Sequence, residues 1–279
     1  MPVPQYIMWT INSILTALFD VVYALLGPIH PAVPLVVISV VFGVVALVVI
    51  KYCSNQSAVG RVKDKIKANM LAIKLYKDEL GVMFRSFAVV IGSALKLQLL
   101  MIPPLLVMII PMVLVCAQMA AHQEWRPLQV GERGVLLVTL DEDLPDSALD
   151  IKPQVPEGVT LDTRCRCAEA NEVAWNVQAS KPGRYTLGFP VGDRTITKEL
   201  VVGRPLERVS SKRHRGGWLD SFLYACEKPL AADSGVRTIT ITMPPLDSRL
   251  YGSFWWIIWF LVLSIAVALI LKPIFKVKI

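Results

Sequence analysis

The sequence predicts a membrane protein with three transmembrane helices, a cytoplasmic helical hairpin, and an all-β, immunoglobulin-like domain on the exoplasmic side. Three observations lead to this fold class. Apolar residues make up 54% of the chain and charged residues only 18%, against about 25% in a typical soluble domain. The apolar residues are gathered into long runs. The lysines and arginines are divided unequally between the segments that separate those runs.

The first segment, residues 1–30, is predicted to form an amphipathic helix. Ser13, Thr16 and Asp20 recur on one helical face. Apolar side chains cover the rest of the helix: Trp9, Ile14, Leu18, Val21 and Leu25. A helix with this pattern lies in the membrane interface more readily than it crosses the bilayer, although a further span is the alternative.

Three runs are long enough to cross about 30 Å of hydrocarbon, namely residues 33–51, 97–119 and 253–272. The first is rich in β-branched residues, but lipid forces helix because every backbone group must bond within the segment. The second contains three prolines, which predict a kink near Pro103 and Pro104 rather than a break. The third begins in an aromatic belt of Tyr251, Phe254, Trp255, Trp256 and Trp259.

The charge pattern predicts how these runs cross the membrane. Residues 1–33 contain no lysine or arginine, whereas residues 52–96 contain many. The positive-inside rule therefore places residues 52–96 in the cytoplasm, the N-terminus outside and the tail, residues 273–279, in the cytoplasm. No signal for an internal membrane is recognised, which favours a bacterial inner membrane.

Residues 52–96 are predicted to form a helical hairpin. An apolar stripe recurs at helical spacing through Val59, Val62, Ile66, Met70, Ile73 and Leu80. Ser54 or Ser57 could cap the first helix, and Gly81 could interrupt it. The alternative is a flat helix on anionic lipid. Either arrangement yields a basic surface made of Lys63, Lys65, Lys67, Lys74 and Lys77.

Residues 124–250 are predicted to form the β-sandwich. Six short stretches of alternating character, such as GVLLVTL and EVAWNVQA, are separated by turn signals. Trp175 and Tyr185 are expected in its core. Cys165 and Cys167 point the same way on one strand, so either could form a disulfide with Cys226. Free buried thiols and a metal site are the alternatives, and the spacing is a weak match to a metal site.

No catalytic motif or cofactor site is recognised, so we expect a protein that is not an enzyme. His30, His122 and His214 have no partners at motif spacing. The acidic run LDEDLPD lacks the spacing of a calcium loop. No span carries a charged residue near its middle, which argues against a pump or transporter.

The order of the elements resembles the three-helix core of the YidC/Oxa superfamily of membrane insertases. The likeness extends to the archaeal YidC-like proteins and to the insertase subunit of the endoplasmic-reticulum membrane complex. It rests on an interfacial helix (LFDVVYALLGPIHP), a lysine-rich hairpin (KDKIKANMLAIKLYKDEL) and a span that opens LKLQLLMIPPLL. It covers residues 14–118 and the last span.

This resemblance implies a groove that lowers the cost of drawing polar segments into the membrane. Its lining would be Ser39, Ser93, Lys96, Gln98 and Ser264. In the bacterial branch of the superfamily the first core span carries an arginine, whereas the matching stretch here reads SVVFGVVAL. The implied partners are membrane lipids, nascent membrane proteins and the ribosome. A second hypothesis is a non-catalytic scaffold that presents the sandwich to an exoplasmic protein.

Overall fold

The structure is a computed structural model, and it describes most of the chain. The described residues are 3–76, 78–141, 151–167, 169–191, 194–203, 206–217, 220, 224, 226–231, 233–275 and 277. They divide into two compact units. The β-domain unit comprises Met1–Leu35 and Val113–Trp259, and the helical unit comprises Val36–Met112 and Phe260–Ile279.

Five helices are described: α1 (Val3–Leu26), α2 (Val33–Cys53), α3 (Gln56–Leu75), α4 (Leu80–Gln123) and α5 (Trp255–Phe275). Four of them are long and apolar enough to cross a bilayer. Three of these are α2 and α4, which contain predicted spans, and α5, which begins two residues after the predicted start at 253. The fourth is α1, which was predicted to lie in the interface. Length and composition alone do not distinguish a span from an interfacial helix, so the prediction for α1 stays open at this point.

Helix α4 joins the predicted hairpin arm and the predicted second span into one continuous element of 44 residues. At 1.5 Å per residue it is about 66 Å long, twice the hydrocarbon thickness of a bilayer. The helix continues through Pro103, Pro104 and Pro111, so the prolines do not break it, and the kink near Pro103 and Pro104 stays a prediction. Each proline lacks an N–H, so the carbonyls of Leu99, Leu100 and Val107 lose their usual donors.

The turn between α3 and α4 lies earlier than the sequence suggested. Helix α3 is capped by Asn55, whose side chain accepts a hydrogen bond from the Ala58 amide at 3.0 Å, rather than by Ser54 or Ser57. It ends at Tyr76, and Gly81 lies inside the first turn of α4. The polar residues Asp78 and Glu79 supply the turn, so the glycine is not needed for it.

Within the helical unit, α2 and α5 approach closely at Gly43. A Cβ atom on Gly43 would lie 2.7 Å from the Ser264 carbonyl oxygen and 3.1 Å from the Val267 side chain. The rings of Phe42 and Phe260 pack beside this point, with centroids 5.1 Å apart. Small residues allow such close helix packing where apolar burial offers little net gain, as in lipid.

The β domain has seven described strands in two antiparallel sheets. They are β1 (Arg133–Leu140), β2 (Val159–Cys167), β3 (Glu172–Ala179), β4 (Gly183–Val191), β5 (Arg194–Val202), β6 (Lys212–His214) and β7 (Val236–Ile241). The larger sheet has the order β2-β3-β1-β7-β6, and β4 pairs with β5. All six predicted strands form, and β6 is the strand that the sequence analysis missed. This agrees with a separate β domain.

A single apolar core lies between the two sheets. It contains Leu136, Trp175 and Phe189, and the rings of Trp175 and Phe189 are 6.3 Å apart. Lys198 occupies an inward position of β5 between Ile196 and Leu200 and is fully buried. Its ammonium donates to Glu227 Oε1 at 2.5 Å and to the Ser210 carbonyl at 2.6 Å. Burial lowers the pKa of Lys198, and the Glu227 carboxylate opposes that shift.

A bidentate ion pair anchors the chain where α4 leads into β1. Arg126 Nη1 and Nη2 donate to Glu132 Oε2 and Oε1 at 2.7 and 2.8 Å. These hydrogen bonds lower the pKa of Glu132. The pair is only partly buried, so it contributes about 1 kcal/mol or less.

We expect Gly43→Ala to lower the thermal stability of the full chain in detergent. The added methyl forces α2 away from α5, which costs about 1–3 kcal/mol. Gly92→Ala is the matched control because nothing lies within 4 Å of a Cβ at Gly92. That control should be neutral or slightly stabilising. Equal melting temperatures for the two variants would contradict the close contact.

We expect the stabilisation from Glu132 to depend on pH. Because its folded-state pKa is lowered, the stabilisation is complete above the unfolded value of about 4.3 and is lost as the pH falls through the folded value. At pH 7 the free energy of unfolding of Glu132→Gln should therefore be lower than that of the wild type by about 1 kcal/mol or less. The difference should disappear in acid. Near-ultraviolet circular dichroism measures the unfolding of both proteins. If their difference in stability did not change with pH, the ion pair could not be its cause.

Candidate functional site

Two of the predicted groove residues lie in helix packing rather than along an open surface. Ser39 is 0% exposed and Ser264 is 5% exposed. Ser264 Oγ donates to the Leu261 carbonyl of its own helix at 3.0 Å, and its backbone carbonyl meets Gly43. Ser39 lies one turn before Gly43 on α2. The structure therefore uses these serines where α2 and α5 approach each other.

The other predicted groove residues lie on α4 and differ in exposure. Ser93 is buried, whereas Lys96 and Gln98 are exposed. Gln98 is the polar member of a concave surface that encloses about 740 Å³. The remaining lining is apolar: Leu95, Leu97, Leu99, Met101, Ile102 and Leu105. The lining extends along α4 from Leu95 to Leu105, past Pro103 and Pro104, so one amide faces an otherwise apolar depression.

The described lysines of the predicted basic surface lie along α3 among apolar side chains. Lys65, Lys67 and Lys74 are exposed, and Lys63 is half-buried. Burial lowers the pKa of Lys63, and the charges of Lys272 and Lys67 add to this shift. Lys77 lies outside the described residues. Large apolar residues are exposed on the same helix, at Met70, Leu71 and Leu75.

The three cysteines of the β domain are free thiols in the structure. Cys165 and Cys167 are exposed on β2, at the edge of the larger sheet. Cys226 is partly buried, and burial raises the pKa of its thiol to about 12. A thiol in that state is a poor nucleophile and a poor metal ligand. Among the described residues no group of three potential ligands forms a metal site.

Helix α1 is joined to the end of α4 by buried polar groups. Thr16 Oγ1 donates to Gln118 Oε1 at 3.1 Å, and Gln118 Nε2 donates to the Asn12 carbonyl at 3.5 Å. Asn12 and Thr16 are buried, whereas Ser13, which was predicted to lie on one face with Thr16 and Asp20, is exposed. The polar face of α1 is thus the buried face, and we call this contact the α1–α4 seam.

The seam ends in a charged cluster of Asp20, His122 and Arg208. His122 Nε2 lies 3.1 Å from Asp20 Oδ1, and its Nδ1 lies 3.0 Å from the Gln118 carbonyl. Both ring nitrogens face acceptors, so both bonds form only when the His122–Asp20 pair carries an extra proton. Arg208 Nε lies 3.5 Å from the same Asp20 oxygen. The Tyr23 ring stacks on His122 at 4.1 Å.

The opposite face of α1 is apolar and exposed. Ile14, Leu18, Val21 and Leu25 are 56–71% exposed. This is the opposite of the arrangement in a water-soluble helix, which buries its large apolar side chains and turns its polar ones toward solvent. A helix with this pattern suits an apolar surrounding on its outer side.

Sequence reasoning identified Thr16 and Asp20 as a polar face but did not find their partners. His122 was set aside because no motif surrounds it. Asp20 and His122 are 102 positions apart, so no local spacing connects them. The one available signal was the matching helical spacing of Gln118 with His122 and of Thr16 with Asp20.

Comparison with known proteins does not assign the chain to a family. No protein-family model matches it, and no curated protein is significantly similar to it. The resemblance to the insertase superfamily therefore stays a prediction from the order of elements in the sequence.

We expect Thr16→Val to destabilise the chain, because it leaves the Gln118 amide oxygen buried without its donor. The cost should be about 1–3 kcal/mol. Ser13→Ala is the matched control, since Ser13 lies one turn away on the exposed face. Thermal unfolding of both variants in detergent measures the difference. Equal melting temperatures for Thr16→Val and Ser13→Ala would contradict the α1–α4 seam.

Proposed function

We propose that this chain is an integral membrane protein of the YidC/Oxa type that assists the insertion or folding of other membrane proteins. In this proposal α2, α4 and α5 cross a bacterial inner membrane, with the α3–α4 hairpin in the cytoplasm. The immunoglobulin-like β domain is exoplasmic. The activity needs no covalent chemistry, because the protein lowers the cost of moving a segment from water into lipid.

The observation that carries the proposal is the construction of α4. One helix of 44 residues holds the hairpin arm, a hollow with a single amide, and the double proline. Gln98 is the polar side chain near the start of the hollow, and Met101, Ile102 and Leu105 are apolar further along. A client segment moving along it would pass from polar to apolar surroundings in small steps.

The hairpin supports the same function through its mixed surface. Apolar residues are exposed on both arms, including Leu71 at 65% and Phe84 at 65%. Lysines at 65, 67 and 74 lie on the α3 arm. Such a surface suits a hydrophobic client segment on the apolar side chains, with ribosomal RNA or anionic lipid near the lysines.

The contacts of α1 favour an interfacial position over a fourth span. Residues of the β domain reach α1 at two separate places. Lys228 Nζ lies 5.7 Å from the Trp9 ring, and Arg208 lies beside Asp20. If α1 crossed the bilayer, the ammonium at Trp9 would lie about 17 Å from Asp20, inside the hydrocarbon, where charge is costly. A helix lying in the interface avoids that cost.

The proposal is tested with the purified chain in liposomes and a small client that has a short translocated tail. Protease protection of the tail should rise clearly above that in empty liposomes. Gln98→Leu should lower this gain about two- to tenfold, since one hydrogen bond is worth about 0.5–1.5 kcal/mol. Gly92→Ala, on the same helix and outside the hollow, should behave as wild type.

Two results would overturn the proposal in different ways. No gain over empty liposomes would remove the insertase function altogether. A gain that Gln98→Leu leaves unchanged would show that the hollow on α4 is not the path of the client.

A further inference from the structure

A second cavity lies in the β-domain unit, beside the charged cluster at the end of the seam. It has a volume of about 570 Å³, within the range of small-molecule sites. The last turns of α1, the loop after it, the end of α4 and residues 206–208 enclose it. The insertase proposal does not use this cavity.

One side of the cavity is apolar and continues onto an exposed apolar surface. Its apolar lining is Tyr23, Ala24, Gly27, Pro28, Pro31 and Leu206. Leu25 and Ile29 lie next to these residues in the chain and are 71% and 72% exposed. In the interfacial position proposed for α1, these two side chains would meet acyl chains. The cavity would then open beside the lipid, which favours an amphipathic ligand.

The other side carries charges of both signs. Arg208 and Arg184 line it together with Asp20 and Glu207. Arg208 Nε is buried and makes no hydrogen bond to any described residue. Asp20 remains 40% exposed beside it. The ion-pair partner of Arg208 is Asp20 Oδ1 at 3.5 Å, and Arg208 Nη1 donates to the Cys226 carbonyl at 3.3 Å. A phosphate in the cavity would give Nε the well-aligned acceptor that Asp20 does not supply, and arginine binds phosphate well.

Because the cavity lining carries both positive and negative charges, it favours a zwitterionic ligand. A phosphate would accept from Arg208, and a primary ammonium would donate to the carboxylates of Asp20 and Glu207. A quaternary ammonium has no N–H to donate and is normally held on open aromatic faces. Tyr23, the aromatic residue in the lining, has one face covered by His122. An anionic headgroup without a cation would leave its phosphate beside Asp20 uncompensated.

We propose that this cavity binds the phosphoethanolamine headgroup of a membrane phospholipid, with the acyl chains running along Leu25 and Ile29. The inference rests on the membrane placement proposed above but not on insertase activity. Its structural consequence is that a lipid would join α1, the α4 end and the β domain at one point.

The test uses the purified full chain in detergent with an equimolar mixture of phosphatidylethanolamine, phosphatidylcholine and phosphatidylglycerol. Native mass spectrometry counts the lipid that stays bound. Wild type should retain one phosphatidylethanolamine in at least about tenfold preference to the others, as expected for charge-assisted hydrogen bonds. Free phosphoethanolamine, added alone, should compete only weakly because it lacks the acyl chains.

Two variants should lose the bound lipid by different routes. Arg208→Gln removes the phosphate partner and should weaken retention about tenfold. Ala24→Phe leaves every ion pair in place and fills the cavity from an exposed helical position, so it should weaken retention without lowering the melting temperature. Arg133→Gln is the control, because Arg133 is exposed on β1 and does not line the cavity.

Equal retention of the three lipids would overturn the inference. So would a result in which Ala24→Phe and Arg208→Gln retain as much phosphatidylethanolamine as the Arg133→Gln control. Competition by free phosphoethanolamine at the affinity of the lipid would assign the site to a soluble ligand instead. Insertion is measured separately in liposomes. A chain that keeps its lipid but inserts no client would sink the proposed function and leave this inference standing.

Discussion

The burial of the polar face of α1 is the contact on which the β-domain unit depends. Thr16 and Asp20 find their partners in Gln118 and His122 at the end of α4, and Arg208 joins them from the β domain. The buried groups among them, Thr16, Gln118 and His122, would each cost about 1–3 kcal/mol if left without a partner. Their pairing therefore sets the rotation of α1 about its axis, and the apolar face must then point outward.

Helix α4 combines in one continuous element features that separate helices normally provide. Its 44 residues exceed what a bilayer needs, so in the proposed arrangement one part forms an arm of the hairpin and another part forms the span. Pro103 and Pro104 remove two adjacent backbone hydrogen bonds within the stretch of α4 that lines the apolar hollow. A helix that stays continuous but is locally weakened can hold a depression open without a charged residue in its lining.

The β domain, in contrast to the hollow on α4, buries a charged side chain in its apolar core. Lys198 lies at a core-facing position that the alternation of β5 assigns to an apolar residue. Glu227 and the Ser210 carbonyl satisfy its ammonium. Removing Glu227 alone would leave a buried cation without its counter-ion, which is far more costly than the pair itself is stabilising. The loop that supplies Glu227 is thereby held against β5.

The sequence by itself determined the secondary structure of most of the chain. Long apolar runs marked α2, the second half of α4 and α5, and alternation marked six strands, because these signals are written in consecutive residues. It placed the turn of the hairpin too late, at Gly81, because polar residues at 78 and 79 turn the chain without a glycine.

Only the tertiary structure decided which side chains meet. Ser39 and Ser264 were expected along a groove, but the approach of α2 to α5 at Gly43 takes them into packing. Asp20 and His122 form a pair although 102 positions separate them. Such contacts depend on how helices cross and rotate, and a period of 3.6 or 2 residues carries no information about partners that far apart.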